Sequence, residues 1–421
     1  FFSNPVTNIH FTAWPYSVEQ QRVREGLSVY SMFFTEDKDL ARGYLQAAAN
    51  YLQRYEQEIG PYPYNHYVIV ANRLPTGYGM PTFTLLGQIV LRLPFIKETS
   101  LGHEIVHSWF GNAVEVDYSE GNWCEGLTAF LADHAFREER GEGVADRLES
   151  ITRYHNYVHN ESAIPLEDFT SASHNQPMAK AKRAVGYNKG ALLFHELQSK
   201  IGRQAFSKGL RQFYRDNTGK KAGWGDLQKS FEEASGTNLQ RFFTERLKRN
   251  YIPELAVEDI RIEYSNDNPA LTFSLLQQSE KPFSLLVPIQ IETMSGTIKV
   301  NTEITEPKTL VTIPLTQRPL EFTIDPEHTF LRKLTDGELP AVWSRFMGAQ
   351  KPLVILAKEQ DRDLYQPLID ALGEKELTVT TATEVSNKAL SENDLLFLGL
   401  DQAPGRALFG LPFQWNVLRR N

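Results

Sequence analysis

Two histidines and a glutamate are spaced so that they can act on one metal ion. Residues 100–112 read SLGHEIVHSWFGN, with His103 and His107 four positions apart and Glu104 directly after the first histidine. On a helix both imidazoles would lie on one face, one turn apart. Glu104 would be offset by about 100°, so it can reach a water on the ion without being a ligand. This pattern is typical of zinc hydrolases that use the glutamate as general base.

A zinc site of this kind needs a third protein ligand and leaves the fourth position for water. Three acidic residues and one histidine follow at suitable distance: Glu115, Glu120, Glu125 and His134. The segment 122–140 predicts a helix with Asn122 as N-cap and Glu125 in the first turn. A regular element favours Glu125 over the two loop glutamates. His134 lies more than two turns beyond it, so we interpret His134 as a structural histidine.

The chemistry that such a site predicts is hydrolysis at a carbonyl. Zinc lowers the pKa of its water toward neutrality and polarises the scissile carbonyl. Glu104 would take the proton of the water and later deliver it to the leaving amine. The oxyanion also needs a hydrogen-bond donor. One of the 17 tyrosines can supply it, but spacing alone selects none of them.

The elements that position these residues fall into successive regions. Residues 36–250 read as mainly helical, with helices predicted at 36–59, 98–110 and 122–140, and strands at 66–72 and 85–93. Residues 254–332 switch to period-two runs such as LLVPIQIET, which predict an antiparallel sandwich. After Leu334 the order strand, helix, strand predicts a small α/β unit.

Composition excludes several other classes of protein. The 421 residues include 44 Lys+Arg and 52 Asp+Glu, for a net charge of −8. A mildly acidic chain is a poor nucleic-acid binder, so we expect no nucleic-acid partner. The single cysteine, Cys124, rules out an intrachain disulfide and a four-cysteine zinc site, and we interpret it as a small packed residue. No apolar run approaches the ~18–20 residues of a membrane helix.

The motifs around the histidines resemble a known family. HEIVHSWFGN followed by NWCEGLTAFLADH is similar to the aminopeptidase N and leukotriene hydrolase family of gluzincin zinc peptidases. That family has HExxH and then a glutamate at the start of a later helix, in an N-E-G-(F/L)-A pattern. The resemblance implies one zinc ion held by His103, His107 and Glu125, with Glu104 as base. Between His107 and Glu125 the chain has one residue fewer than the family, which a loop tolerates.

A second motif of the family indicates the oxyanion donor. AVGYNKGALLFHEL resembles the family's Y-E-K-G helix start, with Asn188 where that pattern has glutamate. The resemblance implies Tyr187 as the oxyanion-stabilising residue.

The substrate-binding motif departs from the family pattern. The family's G-(A/G)-M-E-N segment carries a glutamate that binds the free amino group of the substrate, whereas the matching stretch here is YGMPT, with Pro81 at that position. Proline has no charge to hold an ammonium group. The backbone at Gly79 and Met80 can still pair with an extended peptide. Three alternatives stay open: another acidic residue such as Asp117 or Glu120 supplies the missing charge, the enzyme cuts internally, or it uses another anchor.

The resemblance covers roughly residues 36–332 and implies a multidomain α+β fold. We predict a thermolysin-like, mainly helical catalytic domain, then an antiparallel β-sandwich, then a small α/β unit of unassigned role. The corresponding boundaries are a lead-in or remnant of an amino-terminal β domain at 1–35, the catalytic domain at 36–250, the sandwich at 251–333 and the α/β unit at 334–421. The start, FFSNPVTNIHF, has no initiator Met, so we expect a processed or truncated chain. Compartment and oligomeric state stay open.

The leading hypothesis is a zinc-dependent metallopeptidase with a peptide substrate. One alternative is an endopeptidase on the same scaffold. Another is a catalytically silent peptide-binding or scaffold protein, which the retention of all five site residues disfavours. A third is a non-peptidase zinc hydrolase, because the leukotriene-hydrolase branch of the family opens an epoxide, but no residue here selects a lipid.

Overall fold

The structure is a computed structural model. It describes residues 11–74, 77–171, 178–265, 268–335, 337–340, 343–372, 377–399 and 414–416. They form two compact units. The first contains residues up to 148, 164–251 and 327–331, and the second contains 149–163, 252–326 and the residues from 332 onward. The predicted domain boundaries stay predictions, and residues 1–10 of the predicted lead-in lie outside the described residues.

A mixed five-stranded sheet opens the first unit. Its strands are β1 (Ser17–Arg24), β2 (Leu27–Phe33), β3 (His66–Asn72), β4 (Gly77–Met80) and β5 (Phe83–Gly87). They lie in the order β1-β2-β3-β5-β4, parallel at the two central pairs and antiparallel at the two outer pairs. The strand predicted at 66–72 is confirmed. Among the described strands β4 pairs only with β5, so its other edge is open.

Helices form most of the remaining elements up to residue 248. They are α1 (Ala41–Glu58), α2 (Gln88–Leu91), α3 (Ser100–Val106), α4 (Cys124–Ala129), α5 (Ala135–Glu139), α6 (Gly143–Tyr157), α7 (Ala179–Arg183), α8 (Gly190–Ile201), α9 (Arg203–Asn217), α10 (Trp224–Ser235) and α11 (Gln240–Lys248). A two-residue parallel pair, β6 (Glu115–Val116) and β7 (Lys221–Ala222), lies among them. The predicted helices are confirmed with shifted ends. The helix predicted at 98–110, for example, ends at Val106.

The strand predicted over 85–93 is wrong in its second half. β5 ends at Gly87, and the next four residues form α2. Ile89 in that turn is 71% exposed, so the apolar run is not a buried strand throughout. A short apolar run has no periodicity that distinguishes a strand from a helix, so the pattern could not show where the strand ends.

Two antiparallel sheets in the second unit form the predicted sandwich. The strands are β8 (Leu255–Ser265), β9 (Asn268–Gln277), β10 (Leu285–Thr293), β11 (Gly296–Ile304), β12 (Lys308–Pro314) and β13 (Pro319–Ile324). One sheet has the order β12-β9-β8 and the other contains β11-β10-β13. Phe273 of the first sheet stacks on Phe322 of the second, with ring centroids 4.8 Å apart. The two sheets therefore pack face to face.

The predicted strand–helix–strand unit follows the sandwich. Its strands β14 (Pro352–Leu356), β15 (Thr378–Thr381) and β16 (Asp394–Leu398) form a parallel sheet in the order β15-β14-β16. The helices are α12 (Trp343–Gly348), α13 (Arg362–Ala371) and α14 (Asn387–Glu392). A last strand, β17 (Gln414–Asn416), pairs with β13. Helix and sheet are thus mixed, as the predicted α+β class requires. In the described part of the chain, every helix is too short or too polar to span a bilayer.

Candidate metal centre and active site

Three side chains from two helices converge on one point. His103 lies on α3, His107 directly follows the last residue of that helix, and Glu125 lies in the first turn of α4. The Nε2 atoms of both histidines are 3.6 Å from Oε2 of Glu125. A tetrahedral zinc ion with ligands at about 2.0–2.1 Å sets its ligand atoms about 3.4 Å apart. The three donors therefore fit one zinc ion.

The carboxylate of Glu125 gives a second test of that fit. Its Oε2 is buried and accepts no hydrogen bond from the described residues. An unpartnered carboxylate oxygen is costly to bury, and a cation at this point removes the cost. Among the described residues, only one group of three His, Cys, Asp or Glu side chains can hold a metal ion together: His103, His107 and Glu125.

The second ring nitrogen of each histidine already has a partner. Nδ1 of His103 lies 2.8 Å from a carboxylate oxygen of Asp133. Nδ1 of His107 is 3.2 Å from the Phe110 carbonyl oxygen and 3.3 Å from Sγ of Cys124. Such partners orient a metal-binding imidazole and set its tautomer. Both Nε2 atoms are therefore directed to the metal centre.

Asp133 was not among the residues predicted from the sequence. It is eight residues after Glu125, so on a regular α-helix it would lie about 80° around the axis from Glu125. Residues Phe130–His134 form a π segment, which has more residues per turn and rotates Asp133 toward the face of Glu125. The sequence offered one indication of Asp133, an acidic residue about two helical turns after Glu125. Regular helical spacing does not place that residue directly above Glu125, so the indication was weak.

Charges at the centre are strongly coupled. Burial opposes the charged form of His103, but Asp133 and Glu125 outweigh burial and raise its pKa to about 10. The pKa of Glu125 is held well below its ordinary value despite burial, because both histidines face it. The metal-free centre therefore holds protons that a metal ion would displace.

Glu104 lies beside the three donors and against strand β4. A Cβ atom at Gly79 would stand 2.8 Å from Oε2 of Glu104 and 3.1 Å from Cβ of His107. At Gly77 it would stand 3.5 Å from the other carboxylate oxygen of Glu104. The strand approaches the glutamate this closely because residue 79 has no side chain. Gly79 and Met80 thus lie on the open-edged strand next to Glu104.

Tyr187 lies in a π segment, Ala184–Lys189, between α7 and α8. Its ring is nearly parallel to that of His103, with an interplanar angle of 7° and centroids 6.2 Å apart. Burial, and then the charge of Glu125, raise the pKa of Tyr187 well above its ordinary value. Its hydroxyl therefore stays protonated and can donate a hydrogen bond.

Two glycines bring the helices of this site together. A Cβ atom at Gly126, next to Glu125, would lie 2.7 Å from Cα of Gly190. Gly190 begins α8, three residues after Tyr187. The backbones that carry Glu125 and Tyr187 are therefore in direct contact.

The other residues considered from the sequence have different roles. His134 is a structural histidine as predicted, since its Nδ1 lies 2.8 Å from Oδ2 of Asp146. Glu120 accepts a hydrogen bond of 3.0 Å from the backbone N–H of Gly225, at the start of α10. Asp117 accepts hydrogen bonds from both the backbone N–H and the hydroxyl of Ser119. Glu115 and Glu120 lie outside the group of donors.

The fold and site define a class: a protein with HExxH on one helix and a glutamate from a later helix, arranged as a metal centre. Residues 97–246 match the Peptidase family M1 domain. This match and the aminopeptidase relatives below confirm the resemblance to the aminopeptidase N family.

Known relatives match only parts of the chain. Aminopeptidase N of Haemophilus influenzae is 28% identical over 186 residues, which are 44% of this chain and 21% of that protein. Aminopeptidase N of Escherichia coli is 26% identical over 211 residues, 48% of this chain and 24% of that protein. The chain thus corresponds to about a quarter or less of the length of these relatives.

A solved structure shares the fold over most of the chain. It is the crystal structure of Legionella pneumophila aminopeptidase A in complex with aspartic acid, with a TM-score of 0.56 and 14% identity. The similarity covers 87% of this chain and 42% of that protein.

Proposed function

We propose that this chain is a zinc-dependent metallopeptidase that hydrolyses peptide bonds. The observation that carries the proposal is the convergence of His103, His107 and Glu125, with Glu104 at their side. The M1 domain and the aminopeptidase relatives support a peptidase. The same proposal includes the domain organisation: a thermolysin-like catalytic domain that precedes the β-sandwich in the chain.

Each residue of the site has one role in the proposed reaction. His103, His107 and Glu125 hold one zinc ion, which when bound lowers the pKa of a water and polarises the scissile carbonyl. Glu104 takes a proton from the attacking water and delivers it to the leaving amine. The hydroxyl of Tyr187 donates a hydrogen bond to the developing oxyanion.

Strand β4 is the proposed binding edge for the peptide. An extended substrate can add to an open sheet edge through main-chain hydrogen bonds. Gly79 lies against the general base, and Met80 follows it on the same strand. A peptide paired there would pass next to Glu104.

A second candidate is internal cleavage rather than removal of the amino-terminal residue. The observation that favours it is Pro81 at the position of the family's amine-binding glutamate. Glu120, one candidate for that charge, already accepts a hydrogen bond from the backbone N–H of Gly225 at the start of α10. A silent peptide-binding protein is the remaining alternative, and the retained general base argues against it.

Hydrolysis of a matched peptide pair tests the proposal. The two peptides have the same sequence, one with a free and one with a blocked amino terminus, each tested with and without a zinc chelator. Chelator-sensitive cleavage of the free peptide alone indicates an aminopeptidase with another amine anchor. Cleavage of the blocked peptide indicates an endopeptidase. If neither peptide is cut at high protein concentration, the peptidase proposal is wrong.

A further inference from the structure

A guanidinium group lies on the ring of the proposed oxyanion donor. Arg183 is the last residue of α7, four residues before Tyr187, so the two side chains share a helix face. The guanidinium carbon of Arg183 is 4.3 Å from the centroid of the Tyr187 ring. Because that ring also stacks on His103, Arg183 brings a positive charge to the rim of the metal centre.

Arg183 is exposed, and no carboxylate of the described residues forms an ion pair with it. The acidic groups nearby are engaged elsewhere. Asp133 pairs with His103, and Glu125 faces both histidines. A fixed planar cation without an anionic partner is suited to bind a carboxylate through paired hydrogen bonds.

The charge at the rim also has the wrong sign for an ammonium group. Pro81 replaces the acidic residue that would hold a substrate amine. Arg183 instead places a positive charge beside Tyr187, and a substrate carboxylate is the complementary group.

We propose that Arg183 binds a carboxylate of the substrate, so that the enzyme prefers peptides with a carboxylate next to the scissile bond. This inference rests on the proposed peptidase function and adds the chemistry that selects the substrate. The carboxylate has two possible sources: the side chain of an aspartate or glutamate, or a free carboxy terminus. Both offer the same planar acceptor to the guanidinium.

Two matched peptide pairs distinguish these sources. One pair differs by Glu or Gln next to the scissile bond, and the other by a free or amidated carboxy terminus. The wild type should cleave the charged member of one pair faster. Arg183→Gln should lower kcat/KM for that member by about tenfold and leave the neutral member nearly unchanged. Lys208→Gln, an exposed lysine on α9, is the control with the same loss of charge.

A purely structural role of Arg183 predicts a different result. If Arg183 only packs on Tyr187, Arg183→Gln will slow cleavage of charged and neutral peptides by the same factor in both pairs, and the proposal is overturned. The same holds if the wild type shows no preference within either pair.

A binding experiment separates this inference from the peptidase proposal. Zinc-loaded Glu104→Gln protein binds the four peptides without turnover, and calorimetry gives each Kd. The charged member of one pair should bind more tightly, and the double variant with Arg183→Gln should lose that difference. If the wild type cuts no peptide but this Kd difference is present, the peptidase proposal fails and the inference stands. Equal Kd values within both pairs overturn the inference alone.

Discussion

The carboxylates of the site divide by what their oxygens contact. Among the described residues, one oxygen of Glu125 has no hydrogen-bond donor, and it faces two imidazole nitrogens, as a metal ligand does. Asp133 contacts the far side of one imidazole, and Glu104 lies against the edge of the sheet. Three carboxylates within one site therefore have three environments, which suits them for ligation, orientation and proton transfer.

Removing the hydrogen-bonding charge of Asp133 should weaken zinc binding. Asp133→Asn keeps the shape of the side chain but no longer presents an anionic acceptor to Nδ1 of His103. The loss of such a partner costs about 10–100-fold in metal affinity. A competition titration with a chromophoric chelator measures the change. Asp363→Asn, on α13, is the control and should match the wild type. Equal zinc affinity in Asp133→Asn would show that the carboxylate does not support the ligand.

At the scale of elements, the site depends on close contacts between backbones. Strand β4 approaches α3 at Gly79, and α4 approaches α8 at Gly126 and Gly190. Neither contact leaves room for a side chain, so each fixes the spacing of two elements that carry site residues.

A methyl group at Gly79 should displace the general base. The added Cβ would lie 2.8 Å from Oε2 of Glu104, so the carboxylate or the strand must shift. A misplacement of this kind can cost about a hundredfold in rate. Peptide hydrolysis by Gly79→Ala measures the effect. Gly43→Ala is the matched control, because its Cβ meets only the flexible end of Lys97. If Gly79→Ala has wild-type kcat/KM, the close contact between β4 and Glu104 does not limit catalysis.

A methyl group at Gly126 should destabilise the fold. It would lie 2.7 Å from Cα of Gly190, where the neighbour is backbone and cannot rotate away. Overpacking of this kind costs about 1–3 kcal/mol in the free energy of unfolding. Urea unfolding of Gly126→Ala tests this prediction, and Gly43→Ala is the control. Equal unfolding midpoints for the two variants would mean that the contact between α4 and α8 has room for a methyl group.

Helical spacing in HExxH predicted His103 and His107 on one face, and the following helix offered Glu125 as the third donor. The structure brings these three donors together, and their role as zinc ligands stays a prediction. Asp133 was missed because a π segment changes that spacing. The turn at Gln88–Leu91 was missed because an apolar run has no period of its own.

At the scale of the whole molecule, the two compact units include segments distant in sequence. The first unit takes in residues 327–331, although they follow the sandwich strands in the chain. Within that unit the imidazole of His195 bonds the carbonyl oxygen of Thr329 over 2.9 Å. A half-buried histidine in this unit therefore forms a hydrogen bond with a segment that is distant in sequence.

The stability of this contact should depend on pH. Burial, with a smaller effect of Arg147, lowers the pKa of His195 to about 4. The unfolded chain takes up this proton below its ordinary pKa, whereas the folded chain does not until about pH 4. Stability is therefore lost as the pH falls from about 6.5 toward 4, by about 2 kcal/mol between pH 7 and pH 5.

Urea unfolding at pH 7 and pH 5 checks this. His195→Gln, whose amide can still donate to Thr329, should lose about 2 kcal/mol less than the wild type over that interval. An identical loss in both proteins would show that His195 is not the titrating group.

The most direct test of the central claim is a zinc titration that follows peptide hydrolysis. Protein stripped with a chelator receives increasing zinc, and the rate is recorded for the wild type and for Glu104→Gln. We predict that the wild-type rate rises and levels off at one zinc ion per chain. Glu104→Gln should bind the same amount of zinc but be slower by about 10²–10⁴-fold. A wild-type rate that does not depend on zinc, or an equal rate in the variant, would contradict the assignment of a zinc peptidase with Glu104 as its base.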